Sequence, residues 1–484
     1  MNTETTKILI VVFDALRPEF VRPGLMPNLS AFAKGGVRFE NSRSTFPTET
    51  RVNQTAVLTG CYPRKHGIVG NKFPDADIFP DRVIDTGINE HIVEAFAKAH
   101  GGLIKMPTLG ERLALGGRRY AALSAGTPGG GRLINHAAEQ HGSFRLAMRS
   151  PEATTPASAL TEILKRIGPL PDYELPAIDW ITWAVDAYLQ HIVRNVAPDV
   201  MLLWLCEPDE NFHFKGIGSD DSLTTIRHVD AEFGRILKAQ KNALEAGGLQ
   251  IIAMSDHGQI SLDGQPLDLP TLLNDAGFAA ATAPGPHVDY TVVVGNAGGI
   301  WARGRDDILL EKIIAWLIEQ PWCGPIFSRT GAGGTLKIDE ICADHGRAPD
   351  LYIMMRSADA ANAWGVSGTT PHDAPYPVGG GCHGGLSSFE LQNVLTMAGT
   401  RFKTDQVVST PAGNIDILPT IFYLLGMEQP TGIDGRPLME AICDQPDTNP
   451  AAASSRLIKA PNGQTQISVT DFGEQRYLNK AWAT

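Results

Sequence analysis

Carboxylate and imidazole side chains follow several apolar runs of this sequence. The first apolar run ends in Asp14, and the run VMLLWLC leads into EPDENFH, which contains Asp209 and His213 four residues apart. A third run, LQIIAMS, leads directly into Asp256 and His257. Carboxylate oxygens and imidazole nitrogens together are ligands that suit Zn²⁺. The pattern therefore predicts metal chemistry.

A sixth candidate ligand, His383, stands in the glycine-rich stretch GGGCHGG. Three aspartates and three histidines in one place carry too much uncompensated charge for a site without a cation. Six ligands divide into two sets of three, and each set leaves an open coordination position. Two metal ions about 4 Å apart can hold the attacking and leaving oxygens of phosphoryl transfer. His372 is the main alternative for the last ligand, whereas His66 is expected to be structural.

The apolar runs predict the sheet that must position these residues. They are short, do not alternate with polar residues and are rich in Val, Ile and Leu, which is typical of parallel strands covered on both faces. The runs span residues 8–13, 119–125, 200–206, 249–255, 350–355 and 393–399. Amphipathic stretches predict helices at 26–36, 180–196, 224–248, 308–320 and 414–427. Because ligands of open α/β sheets bind beyond the carboxyl ends of the strands, we expect the candidate ligands at one edge.

The domain organisation follows from where this alternation is interrupted. We predict an α/β catalytic core from residues 1–259 and 380–440, with a loop insertion at about 72–175, where glycine, proline and polar residues concentrate. Residues 260–379 are expected to form a cap or insertion subdomain at the substrate end. Residues 441–484 are expected to form a C-terminal extension that packs on the core.

Composition excludes some partners. The chain has 484 residues, 43% hydrophobic and 19% charged, as in ordinary soluble proteins. Its net charge of −12 opposes binding to nucleic-acid polymers and anionic membranes, so we expect neither as a partner. Scattered cysteines and an N-terminal apolar run without a cleavage site predict a cytoplasmic protein. The oligomeric state, including a dimer, stays open.

In this order, the motifs resemble those of the alkaline phosphatase superfamily. They are Asp14, TRVNQTAVLTGCYPRKHGIVGN at 50–71, EPDENFH at 207–213, SDHG at 255–258 and CHGG at 382–385. The similarity is greatest to the type I phosphodiesterase/nucleotide pyrophosphatase branch and its relative phosphonoacetate hydrolase. The resemblance implies an alkaline-phosphatase-like α/β sandwich, in which helices cover both faces of a mostly parallel central sheet and insertions form a cap.

The resemblance also implies a threonine or serine nucleophile at the N-terminus of a helix, beside two zinc ions. Counted back nine residues from the Thr59–Gly60 pair, the nucleophile is Thr50, and Thr45 is the alternative. A helix that starts just after Thr50 presents free N–H groups and its positive dipole end to a phosphate. Asn53 is expected to donate to a non-bridging phosphate oxygen.

By the same resemblance, each metal ion has its own ligands. One ion is expected at Asp209, His213 and His383, and the other at Asp14, Asp256 and His257, with Thr50 as a labile fourth ligand. The two ions are expected to be Zn²⁺, although Mn²⁺ or iron also suits such ligands.

The predicted function is hydrolysis of phosphodiester or pyrophosphate bonds in a small phosphorylated or phosphonate substrate, through a phospho-threonine intermediate. Hydrolysis of phosphonoacetate or of phosphomonoesters at the same metals is the alternative, and a non-catalytic metal-binding protein is a third possibility. Arg51 stands where the nucleotide pyrophosphatases commonly carry Phe, and it either faces the phosphate or pairs with surface acids. An extra positive group for a phosphomonoester could come from Arg51, Arg17 or Lys105.

Overall fold

A computed structural model describes residues 6–443, 445 and 452–484. The strands are β1 Lys7–Phe13, β2 Val37–Phe39, β3 Ser42–Arg43, β4 Lys72–Asp75, β5 Phe79–Asp85, β6 Tyr120–Ser124, β7 Phe144–Ala147, β8 Val200–Leu205, β9 Leu249–Met254, β10 Ile260–Leu262, β11 Ala280–Ala281, β12 Tyr290–Val294, β13 Ala297–Ala302, β14 Cys323–Ser328, β15 Leu336–Lys337, β16 Leu351–Met355, β17 Ala358–Ala361, β18 Ser367–Thr370, β19 Gly381–Cys382, β20 Leu395–Ala398, β21 Gln406–Val408, β22 Ala412–Gly413, β23 Ala453–Lys459, β24 Thr465–Phe472 and β25 Gln475–Ala483. The helices are α1 Pro27–Gly35, α2 Thr50–Thr59, α3 Pro63–His66, α4 Asn89–Lys98, α5 Leu109–Leu115, α6 Pro128–Leu133, α7 Ala138–His141, α8 Ala157–Ile167, α9 Ile178–Ala187, α10 Asp209–Lys215, α11 Asp220–Glu245, α12 Leu269–Asp275, α13 Asp307–Ile318, α14 Ser388–Leu391 and α15 Ile417–Leu424.

The largest sheet has eight strands in the order β21–β2–β20–β9–β1–β8–β6–β7. Five neighbouring strands, from β9 to β7, are parallel, whereas β20 runs antiparallel to both β9 and β2. The central strand β1 pairs with β9 on one side and with β8 on the other. This confirms the prediction of a mostly parallel sheet.

Both faces of the central sheet are covered. Leu9, Val11 and Phe13 of β1 pack in one core with residues of α1, α9 and α11, including Phe233. The intervening residues, such as Ile10, pack in a second core with residues of α2 and α15. Because successive strand residues point to opposite faces, one unbroken apolar run serves two cores.

Two expectations drawn from the apolar runs are wrong. The run at 350–355 forms β16, which is antiparallel to both of its neighbours, β13 and β14, in a six-stranded sheet of order β11–β12–β13–β16–β14–β15. The run at 393–399 forms β20, which is antiparallel to its neighbour β9. An apolar run indicates burial on both faces, but it carries no information about the partner strand or its direction.

Residues 72–175 do not form the loop insertion that their composition predicts. They contain β6 and β7 of the central sheet and the helices α4 to α8. The three consecutive glycines of GTPGGGR lie in α6, where a Cβ added to Gly129 would lie 2.1 Å from the carbonyl oxygen of Thr86. A Cβ on Gly131 would lie 2.9 Å from the Cβ of Ala147. Glycine here permits close helix packing rather than marking a loop.

The segments expected to form a cap and an extension contact each other. In the six-stranded sheet, the backbone N–H of Ile326 donates to Thr465 Oγ1 of the three-stranded C-terminal sheet, at 3.0 Å. From that sheet, the Tyr477 hydroxyl also donates to Asp416 Oδ2 at 2.9 Å. The division into a core, a cap and an extension stays a prediction. Over the described part of the chain, no helix combines the length and apolar character needed to cross a membrane.

Replacing Gly129 by Ala is expected to destabilise the protein. The added Cβ meets backbone atoms of the β5–α4 connection that cannot move aside freely, so overpacking should cost about 1–3 kcal/mol. The matched control is Gly35→Ala, at an exposed helical position with no atom within 4 Å of the added Cβ. Thermal and urea unfolding should show a lower free energy of unfolding for Gly129→Ala but not for Gly35→Ala. Equal stability of the two variants would contradict this packing.

Candidate metal centre

The carboxyl ends of three adjacent strands bring most candidate ligands to one edge of the central sheet. Asp14 follows β1, and Asp256 and His257 follow β9. Asp209 is the first residue of α10, just beyond β8, and His213 lies one turn further along that helix. The backbone N–H of Asp209 donates to the carbonyl oxygen of Asp14 at 3.1 Å, which links the ends of β8 and β1.

Two further residues reach this edge from other elements. His383 directly follows the short strand β19, and its ring stacks on that of His257 with centroids 4.1 Å apart. Thr50 is the first residue of α2, and its Oγ1 lies 3.2 Å from His257 Nε2. The structure therefore brings Thr50 and all six candidate ligands together.

The potential ligand atoms fall into two overlapping groups. Asp14, Asp256 and His257 form one group, and Asp209, His257 and His383 form the other, with ligand atoms within 4.8 Å of one another in each. In the first group, His257 Nε2 lies 3.2 Å from Asp256 Oδ2. In the second, His383 Nε2 lies 3.5 Å from Asp209 Oδ1. His213 belongs to neither group, but its Nε2 lies 3.3 Å from Asp209 Oδ2. His257 is thus within reach of both groups.

All three histidines have the same orientation. Their Nδ1 atoms lie 2.7 to 3.0 Å from backbone carbonyl oxygens: His213 to Gly381, His257 to Gly258 and His383 to Thr48. A carbonyl oxygen only accepts, so Nδ1 carries the proton and the lone pair of the neutral ring is on Nε2. Each Nε2 faces an aspartate carboxylate. Burial and the neighbouring His257 hold the pKa of His383 well below its usual range, so that ring is neutral.

The carboxylates present unpaired oxygens to these nitrogens. Asp14 Oδ2 accepts from Trp204 Nε1 at 2.8 Å, and Asp256 Oδ1 accepts from the backbone N–H groups of Ala15 and His257. Within the described residues, Asp14 Oδ1 and Asp256 Oδ2 are buried and have no hydrogen-bond partner. Burial raises the pKa of both carboxyls, and the charges of Asp256 and Asp209 raise that of Asp14 further.

These features fit a bound divalent cation. The buried, unpaired oxygens of Asp14 and Asp256 lie 3.7 and 3.2 Å from His257 Nε2, an arrangement that is costly for charged carboxylates without a positive charge beside them. The donor set of aspartate oxygens and Nε2 atoms suits Zn²⁺ and related transition metals. The two groups are therefore candidate sites for metal ions.

The structure contradicts the expected role of Asn53. Its side chain is fully buried, and Oδ1 accepts from the backbone N–H and the hydroxyl of Thr45 and from Asn414 Nδ2. Its Nδ2 donates to the carbonyl oxygens of Thr45, Pro47 and Glu49. The side chain lies over the turn before α2, as helical side chains do. Asn53 thus holds the 45–49 loop and has no donor left for a phosphate.

Asn71 is a residue that the sequence reasoning did not single out. Its Oδ1 accepts from the backbone N–H of Arg51 at 3.2 Å, next to Thr50 at the start of α2. Its Nδ2 makes no hydrogen bond to any described residue, so this amide is available to a ligand. The sequence signal was weak, because Asn71 is a single residue at the end of the motif, 21 positions after Thr50.

The remaining candidates have structural partners elsewhere. Both ring nitrogens of His372 face backbone carbonyl oxygens, at 3.1 Å each, so neither is directed at a metal. His66 is buried, and its Nδ1 accepts from the backbone N–H of Ile68. The Thr45 hydroxyl donates to Asn53. Lys105 Nζ donates to the carbonyl oxygens of His100 and Gly102, and the Arg17 guanidinium to those of Gln259 and Ser367.

A comparison with known protein families shows which family the chain belongs to. The family model of type I phosphodiesterases/nucleotide pyrophosphatases matches residues 8–313, well over half of the sequence. The protein belongs to this family, which confirms the branch that the motifs predicted.

Several characterised relatives match in sequence. Bis(5'-adenosyl)-triphosphatase of Xenopus laevis is 40% identical over 76 residues, 16% of this chain and 17% of the relative. Venom phosphodiesterase 2 of Crotalus adamanteus is 22% identical over 292 residues, 59% of this chain and 31% of the relative. Human ectonucleotide pyrophosphatase/phosphodiesterase family member 1 is 25% identical over 260 residues, which are 53% of this chain and 24% of the relative. The matches span about a sixth to a third of the relatives' lengths.

Solved structures share the fold over most of the chain. Murine ectonucleotide pyrophosphatase/phosphodiesterase 5 has a TM-score of 0.59 at 16% identity and covers 88% of this chain and 96% of its own. The human protein of the same name has a TM-score of 0.59 at 15% identity, with the same coverage. This similarity confirms the predicted fold class.

The carboxylates of the centre are expected to be necessary for metal binding. Asp256→Asn keeps the shape but replaces a charged oxygen ligand by a neutral one, so metal affinity at its group should fall at least about 10–100-fold. The control is Asp434→Asn, since Asp434 is also buried but is paired with Arg64 and Lys65. Elemental analysis after dialysis should find about one ion fewer in Asp256→Asn only. Equal metal content in both variants would contradict the centre.

Proposed function

We propose that the protein is a two-zinc hydrolase that cleaves phosphodiester or pyrophosphate bonds through a phospho-threonine intermediate on Thr50. The observation that carries the proposal is the position of the Thr50 hydroxyl. It lies at the first residue of α2, 3.2 Å from the ring nitrogen of His257, which is within reach of both candidate metal groups. The Thr50 hydroxyl is therefore placed to act as a nucleophile beside both candidate metal sites.

The residues proposed to hold the ions are those brought together at the sheet edge. Asp14, Asp256 and His257 are proposed for one zinc ion, and Asp209, His213 and His383 for the other. When bound, the ions supply positive charge that favours the ionised threonine and offsets charge developing on the phosphate. Mn²⁺ or iron is compatible with the same donor atoms.

The start of α2 supplies further stabilisation for a phosphate. A ten-residue helix exposes free N–H groups and the positive end of its dipole at Thr50. The backbone N–H of Arg51 and the amide of Asn71 lie together there. We propose that Asn71, whose Oδ1 accepts from the Arg51 N–H, donates through its Nδ2 to a phosphate oxygen, which is the role the sequence suggested for Asn53.

The reaction then proceeds in two displacements. Thr50 releases its hydroxyl proton to solvent, and Oγ1 forms a bond to phosphorus while the bond to the leaving oxygen breaks. The leaving oxygen departs with the electron pair and takes up a proton from water. A water molecule then attacks the phospho-threonine, which releases phosphate or a phosphomonoester and restores Thr50.

The relatives support a small phosphorylated substrate. Among them are a bis(5'-adenosyl)-triphosphatase and venom phosphodiesterases, and the murine structural relative has been solved as an inactive variant in complex with AMP. We propose that residues 260–379 act as a cap over such a substrate. Tyr376 from this segment stacks on the His213 ring, with centroids 4.0 Å apart.

Substitution of Thr50 tests the nucleophile. Zinc-loaded Thr50→Ala should lose at least about a thousandfold in kcat/KM for bis(p-nitrophenyl) phosphate, because no oxygen remains to attack. Thr50→Ser should retain measurable turnover, and acid quenching should trap phosphate on wild-type Thr50. The control is Thr45→Ala, which removes the rival hydroxyl and should lose less than about tenfold. Full activity of Thr50→Ala would rule out Thr50, and no turnover by wild type would point to phosphonoacetate or to a binding protein.

The two asparagines should separate stability from catalysis. Asn53→Ala leaves buried loop groups unpaired and should lower the free energy of unfolding by about 1–3 kcal/mol. Asn71→Ala should leave stability nearly unchanged but lower kcat/KM by about a hundredfold, as expected for the loss of one donor to a developing oxyanion. Unfolding curves and steady-state kinetics of both variants check this, and the reverse pattern would restore Asn53 as the phosphate donor.

A further inference from the structure

The guanidinium of Arg51 is without a protein partner. Within the described residues, its side chain makes no ion pair and no hydrogen bond, and its Nε is buried without an acceptor. The side chain lies only partly exposed on α2, directly after Thr50. A partly buried cation without an acceptor is unusual, since buried charges are normally paired. An anionic group of a bound ligand would supply the missing acceptor.

Arg51 lines a small cavity beside the candidate metal centre. The same cavity is also lined by Asp14, Asp209, Thr50, Ser124 and Thr127. The Arg51 side chain passes Gly130, where an added Cβ would lie 3.7 Å from the Arg51 Cδ.

The acids near Arg51 are engaged elsewhere. Glu49 accepts from the backbone N–H of Asn71, and Asp85 is paired with Lys72 at 3.0 Å. Glu210 lines the same cavity but is paired with Arg149 at 2.7 Å. Asp14 is close enough for Arg51 to lower its pKa, but its Oδ1 and Oδ2 are not within ion-pair distance of the guanidinium. The sequence alternative that Arg51 pairs with surface acids is therefore not supported.

We infer that Arg51 selects substrates that carry a second negative charge next to the scissile phosphorus. This inference rests on the proposed function and specifies its substrate class. A simple diester phosphate has one charge, whereas a terminal phosphoryl group has about two, and a pyrophosphate linkage places a neighbouring charged phosphoryl beside the first. Arginine binds such groups through paired N–H donors. Arg17 and Lys105, the other cations considered from the sequence, donate to backbone carbonyls away from this cavity.

The test compares three substrates on the zinc-loaded full chain at pH 8. Bis(p-nitrophenyl) phosphate has a single charge, p-nitrophenyl phosphate has a dianionic terminal group, and ATP offers a pyrophosphate linkage. The enzymes are wild type, Arg51→Gln, Arg51→Lys and the control Lys241→Gln. Lys241 is an exposed cation on α11, a helix that packs on the opposite face of the sheet from α2. Calorimetry with inorganic phosphate gives a readout independent of turnover.

Arg51→Gln is expected to lower kcat/KM for p-nitrophenyl phosphate or ATP at least tenfold more than for the diester. A larger fall of kcat/KM for p-nitrophenyl phosphate would place the second charge on a terminal phosphoryl group. A larger fall for ATP would place it on a neighbouring phosphoryl group. The dissociation constant of inorganic phosphate should rise at least tenfold in Arg51→Gln. Arg51→Lys should restore part of the lost kcat/KM and part of the lost phosphate affinity, because it keeps the charge but not the paired donors. Lys241→Gln should match wild type.

Two outcomes separate this inference from the proposed function. If wild type cleaves the diester but the substrate ratios and phosphate binding are unchanged in Arg51→Gln, the inference about Arg51 is overturned while the hydrolase stands. If wild type cleaves none of the substrates but phosphate binding still depends on Arg51, the anion subsite is supported and the proposed reaction fails.

Discussion

The site depends on one electrostatic constraint, which is the neutralisation of buried negative charge at the ends of three parallel strands. Asp14, Asp209 and Asp256 converge there, and three imidazole Nε2 atoms face their carboxylates. The unpaired oxygens of Asp14 and Asp256 keep their negative charge at low cost only with a cation beside them, since burial otherwise raises the pKa of both carboxyls and favours their protonated form. Metal binding and folding of this edge are therefore expected to be linked.

The surrounding fold fixes the orientation of each group. The central strand β1 pairs with β8 and β9, which places the residues following all three strands side by side. Backbone carbonyl oxygens hold each Nδ1 and so direct each Nε2 inward. Asn53 holds the 45–49 loop through both ends of its amide, and this loop sets where α2 and Thr50 begin. Arg51 and Asn71 then lie beside the nucleophile as a consequence of where the helix starts.

Much of this arrangement could be predicted from sequence because its signals are local. The strands before Asp14, Asp209 and Asp256 are apolar runs, and the rule for parallel strands then places those aspartates at one edge. The antiparallel directions of β16 and β20 and the membership of β7 in the central sheet depend on long-range pairing, which composition does not encode. The same holds for Asn53 and Asn71: their roles depend on which of them faces the loop and which faces the helix start, and that follows from side-chain direction rather than spacing.

The most direct test of the two-metal centre is anomalous diffraction at the zinc absorption edge from crystals of the zinc-loaded protein. The account predicts two peaks, one among Asp14, Asp256 and His257 and one among Asp209, His213 and His383, with Thr50 Oγ1 beside them. A single peak, or peaks away from these six side chains, would contradict the charge-neutralisation account on which the nucleophile, the phosphate donors and the Arg51 subsite all depend.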